Sequence, residues 1–115
     1  MSDLVVWLRQ QLDTDERLAR AAGWHRWEVR EGGDVDAVGN GKTVVVGALD
    51  YDARHIAEHD PARVLRQVQA HRAILDLYEQ TEYGDLARLT ALEDVMERLV
   101  SIYSDRDGYR QEWSA

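Results

Sequence analysis

With 115 residues, no cysteine, no phenylalanine and four tryptophans, the chain is long enough for a single domain over 1–115 and must build its core from Leu, Val, Ala, Ile and Trp. The missing cysteine excludes a disulfide scaffold, a thiolate zinc site and a cysteine nucleophile together. A formal net charge of −8, the lack of any run near the roughly 18 apolar residues of a membrane span, and a start, Met1-Ser2-Asp3, without signal-peptide order predict a cytoplasmic protein that binds neither nucleic acid directly nor a membrane.

Leu4, Val5, Leu8, Leu12, Leu18, Ala19 and Ala22 recur at helical intervals and predict a helix over about 3–22. Ser2 or Asp3 is available as its N-cap, and Gly23 is placed to stop it. Arg9, Arg17 and Arg20, interleaved with Asp13, Asp15 and Glu16, read as its solvated face.

The next segment changes to short β-prone runs, predicting strands near 25–30, 35–38 and 42–48. Glu31-Gly32-Gly33-Asp34 and Gly39-Asn40-Gly41 separate them, and both favour the positive φ of tight turns. The expected result is a three-stranded antiparallel meander with one face covered by helices. Gly39-Asn40-Gly41 lies between two strands rather than opening a helix, so it lacks the N-terminal N–H groups of a phosphate loop, and no cofactor is expected.

A short helix is predicted from about 50 to 58. Asp60-Pro61 then starts a long one, because aspartate caps well and proline fits the first helical position, where its missing N–H has no partner. Val64, Val68, His71, Leu75 and Tyr78 form its apolar seam. The helix should end near 81–84, with Asp85 capping a last helix that carries Leu86, Leu89, Leu92, Met96, Leu99 and Tyr103. The short connection implies an antiparallel helical hairpin. The whole is an α+β fold: N-terminal helix, three-stranded antiparallel meander, short helix, long helical hairpin. Tyr109 and Trp113 in the polar tail are expected to anchor it to the parent fold or to a second copy.

His55-Ile56-Ala57-Glu58-His59 fits H-x-x-E-H, in which two imidazoles a turn apart bind zinc and the glutamate polarises water. Catalytic zinc needs a third protein ligand. His71 lies about 15 Å beyond the corner at Pro61 at helical rise, and nothing requires Glu93 or Glu97 to turn that way. The simpler role for His59 is to complement the carbonyls and dipole of a helix end. The reading is therefore that no metal is bound, with a metal-dependent hydrolase built on His55, Glu58 and His59 as the alternative. No serine occupies a nucleophile turn, and 22 scattered acidic residues single out no acid–base pair.

The block H-I-A-E-H-D-P-A-R-V-L-R-Q-V, with D-L-V-V-W-L-R-Q-Q-L-D-T-D-E before it and Y-R-Q-E-W after it, resembles a family of small actinobacterial and actinophage proteins of unknown function, of the domain of unknown function 6221 type. The resemblance implies no activity. Where this chain has Glu58 the family often has a basic or other residue, so the resemblance does not support a catalytic glutamate; what it shares is His55, His59, Asp60, Pro61, Ala62 and Arg63, a helix corner.

The function expected is that of a non-enzymatic protein-interaction module, of phage or mobile-element origin, binding an unidentified protein partner. Trp24, Trp27, Tyr51, Arg54, His55 and His59 are its candidate binding residues, because exposed Trp and Tyr dominate binding energy. The alternative is that Trp24, Trp27 and Tyr51 are core. An acidic decoy imitating nucleic acid is a further reading, although arginines interrupt the acidic residues. The last helix carries Leu92, Val95, Met96, Leu99, Val100, Ile102 and Tyr103, an apolar sector that either a homodimer or helix one with Trp113 could cover.

Overall fold

A computed structural model of the chain describes residues 1–114. The elements are α1 (Ser2–Ala21), β1 (Trp27–Val29), β2 (Val35–Ala37), β3 (Thr43–Val45), α2 (Asp50–Glu58), α3 (Pro61–Glu79) and α4 (Leu86–Val100). This is the expected α+β order. The chain groups into two compact units, one of Asp15–Val68 and one of Met1–Thr14 together with the chain from Gln69 onward, and α1 and α3 contribute to both.

In the unit holding the N-terminus, α1 begins one residue earlier than predicted. The Val5 N–H donates to the Met1 carbonyl at 3.1 Å, so Ser2 and Asp3 lie inside the first turn rather than capping it. Asp3 complements the dipole there and pairs with Arg110 at 3.1 Å. Leu4, Val5, Leu8 and Leu12 of α1, Leu75 of α3, and Met96 and Val100 of α4 are buried. Trp7 meets Tyr103, Tyr109 and Trp113 with ring centroids 6.5, 5.9 and 5.3 Å away, so the tail aromatics do anchor on α1. Asp85 caps α4 by accepting the Arg88 N–H at 3.1 Å. The last helix was expected to reach Tyr103. It stops at Val100, where the Ser101 hydroxyl donates to the Arg98 carbonyl at 2.6 Å and the chain tightens into a 3-10 turn that buries Tyr103. Acidic side chains alternate with arginines here: Arg9 bridges Asp76 at 3.0 Å and Glu79 at 2.9 Å, and Arg72 holds Asp13 at 2.6 Å.

In the unit of residues 15–68, α1 ends in the turn that Gly23 predicts. The Gly23 N–H reaches the Arg20 carbonyl and the Trp24 N–H reaches the Ala19 carbonyl, with Gly23 at φ 101°, which closes the free carbonyls as a Schellman motif does. The sheet runs β1-β2-β3, antiparallel throughout, with an irregularity between Val35 and Asp36 against β3. Its strands are shorter than predicted, three residues each. Alternation on β2 buries Val35 and Ala37. The helix α2 packs on β1 and β2, and its fully buried Ala53 has no side chain long enough to hold the backbones apart.

Candidate functional site at the corner of β1, α2 and α3

Asp60 organises this corner. It is only 8 % exposed, and each carboxylate oxygen has a backbone donor. Oδ1 accepts the Arg63 N–H at 2.8 Å, which is the N-cap of α3 that the Asp60-Pro61 pair predicts. Oδ2 accepts the Trp27 N–H at 3.1 Å, and the Ala62 N–H donates to the His25 carbonyl at 3.4 Å. One side chain thus caps a helix and satisfies the first amide of a strand, which fixes β1 against the start of α3.

The two histidines of the H-x-x-E-H block are exposed on α2 and at its end, with ring centroids 4.2 Å apart. Nδ1 of His59 lies 2.7 Å from the His55 carbonyl, an oxygen that can only accept, so the ring carries its proton on Nδ1 and serves the helix terminus. Glu58 belongs to a different surface. Its carbonyl accepts from Arg63 at 3.2 Å and its carboxylate stands 3.9 Å from the same guanidinium. Glu58 and His59 line separate depressions, on either side of Trp27. Among the described residues no three His, Asp or Glu side chains converge as metal ligands, so the residues present do not fit a zinc centre with its three protein ligands.

The candidate aromatics divide. Trp24 is 58 % exposed and lies beside His25, ring centroids 5.7 Å apart, on backbone with φ 48°. Tyr51 is also exposed, on the first turn of α2. Trp27 is half-buried, and its indole Nε1 is buried without an acceptor among the described residues. The structure brings Trp27 and Arg54 together at a cleft of about 530 Å³, which Arg26, Arg63 and Arg66 also line. Trp24, Tyr51 and His55 do not line it.

Tyr51 belongs to a second surface, whose other two members, Val46 and Leu49, the sequence did not single out. Val46, Leu49 and Tyr51 are 78, 77 and 83 % exposed, although Val46 had been expected inside the third strand. That strand stops at Val45 because the following amides are taken elsewhere: the Gly47 N–H donates to Asp34 Oδ1 at 2.9 Å and the Ala48 N–H to the Gly33 carbonyl at 3.0 Å. A Cβ on Gly33 would stand 1.8 Å from the Ala48 carbonyl oxygen, so the close approach depends on glycine, which sits at φ 83°. The Leu49 carbonyl then accepts the Ala53 N–H at 2.8 Å and begins α2. The segment 46–51 is held at both ends while it presents three large apolar side chains to water.

No curated protein and no solved structure matches the chain. A family of unknown function, DUF6221, matches it over residues 1–115, from the first turn of α1 through the corner to the tail. The chain belongs to that family.

Proposed function

We propose that the protein is a non-enzymatic interaction module that binds a protein partner through the segment 46–51. The observation that carries this reading is the exposure of Val46, Leu49 and Tyr51 on a backbone held by Asp34, Gly33 and the start of α2. Burying one such side chain against a partner contributes about 1.5–3 kcal/mol. A segment already fixed gives up less conformational entropy on binding than a mobile loop does. Tyrosine is enriched among the residues that dominate interfaces, and Tyr51 is the most exposed of the three. The net charge of −8 disfavours an anionic membrane as the acceptor for the same residues.

The test compares the chain with Leu49→Ala/Tyr51→Ala in affinity capture from host lysate. Both positions are exposed, so the variant should unfold with the wild-type midpoint and lose a specific partner that the wild type retains. Capture of the same proteins by both would refute the assignment.

A further inference from the structure

The cleft beside Trp27 is a separate surface from the segment 46–51. Four of its lining side chains are arginines, Arg26, Arg54, Arg63 and Arg66, in a chain whose net charge is −8. Glu28, Glu58 and Asp60 line the same cleft, so the arginines exceed the carboxylates by one. Arg63 donates to the Glu58 carbonyl at 3.2 Å and stands 3.9 Å from its carboxylate, and Arg54 pairs at 3.3 Å with exposed Asp50 one turn back. The guanidinium groups of Arg26 and Arg66 have no hydrogen bond or ion pair among the described residues. Of the three acidic side chains that line the cleft, two are engaged elsewhere and Glu58 faces Arg63. Glu28 is held by Arg30 at 2.6 Å, and both oxygens of Asp60 are taken by backbone N–H groups. The charged lining groups that have no partner to give up on receiving a ligand are therefore Arg26 and Arg66.

We infer that this cleft binds the phosphoryl group of a small phosphorylated molecule, with Arg26 and Arg66 as its principal ligands. A carboxylate is satisfied by one guanidinium fork, whereas a phosphoryl group offers three acceptor oxygens and takes donors from two or more arginines at once. The volume of about 530 Å³ lies in the range of small-molecule sites, and Val29, Ala57 and the half-buried Trp27 supply apolar wall for the remainder of the ligand. The corner is rigid where the ligand would rest, because Asp60 ties β1 to α3 at the edge of the cleft.

The experiment follows the amide and indole N–H resonances of the full chain during titration with inorganic pyrophosphate, and separately with citrate as a carboxylate of similar charge. The expected result is saturable movement of the Trp27 indole and neighbouring amides at millimolar pyrophosphate or below, with citrate at least tenfold weaker. Arg26→Ala/Arg66→Ala should weaken pyrophosphate at least tenfold, and Arg66→Ala alone should weaken it measurably. Arg88→Ala/Arg98→Ala removes the same charge outside the cleft and should leave the affinity within about twofold, as a screened long-range effect allows. Both cleft arginines are exposed and unpaired, and the unliganded spectrum of the variant checks its fold directly. Absence of saturation, equal binding of citrate, or equal loss in the two double variants would each overturn the assignment.

Discussion

Replacing Asp60 separates the two tasks of its carboxylate. In Asp60→Ala both acceptors disappear. The helix loses its N-cap, which costs about 0.5–2 kcal/mol, and the part-buried Trp27 N–H loses its acceptor, which costs about 1–3 kcal/mol. The combined effect, about 1.5–5 kcal/mol, is a large fraction of the roughly 5–15 kcal/mol that holds a domain folded. Asp60→Ser keeps a cap for the Arg63 N–H but cannot reach Trp27, so it should lose only the strand bond, about 1–3 kcal/mol. Asp60→Asn keeps one oxygen and turns an N–H₂ toward a donor, and should fall in the same interval. Urea unfolding followed by far-UV circular dichroism gives the order wild type, then Ser and Asn, then Ala. Amide exchange adds a local reading, since the Trp27 N–H should exchange faster in Asp60→Ser while the Arg63 N–H stays protected. A serine variant as stable as the wild type, with an unchanged Trp27 amide, would refute the claim that this side chain bridges helix and strand.

Burial, followed by the hydrogen bond to Glu93 and its charge, raises the Tyr78 phenol above its ordinary value of 10.0. A raised folded value stabilises the fold fully below pH 10 and loses that contribution as pH rises through the folded pKa, so Tyr78→Phe should flatten the alkaline limb of urea midpoints measured on either side of pH 10. Gly33→Ala places a methyl against the Ala48 carbonyl in left-handed backbone; it should cost at least about 2 kcal/mol and free the 46–51 segment, read as faster exchange of the Ala48 amide. Trp7→Ala removes the ring shared by Tyr103, Tyr109 and Trp113 and should cost about 3 kcal/mol with loss of near-UV circular dichroism.

The elements readable in the sequence were those whose signals are local. Asp60-Pro61, Gly23 and Asp85 mark helix ends through their own chemistry, and each acts where it stands. The α4 sector was half legible. Its periodicity gave the buried Met96 and Val100, but Val95 and Ile102 of the same sector are exposed, because spacing alone does not say how wide a neighbour the face meets. The second oxygen of Asp60 was invisible, since its partner lies 33 residues away and nothing near Trp27 announces an amide short of an acceptor. The run Thr43-Val44-Val45-Val46 reads as one strand by propensity, and the partners that end it at Val45, Asp34 and Gly33, are themselves placed by the turn before β2. Among the candidate site residues, the histidine pair drew the eye by motif, whereas the unpaired Arg26 and Arg66 stand out only once the positions of the other charges are known.

Trp24 pays for its position. A non-glycine residue at φ 48° gives up about 1 kcal/mol or more relative to glycine, and here the residue so placed is a tryptophan whose ring faces largely outward. Trp24→Gly would relax the backbone and delete the indole in one step, so the strain relieved offsets part of what the ring's contact with His25 contributes. Most aromatic deletions leave open whether a lost activity reflects the missing ring or a weakened fold. At this turn the two effects have opposite signs, so an activity that vanishes while the urea midpoint stays at the wild-type value belongs to the indole.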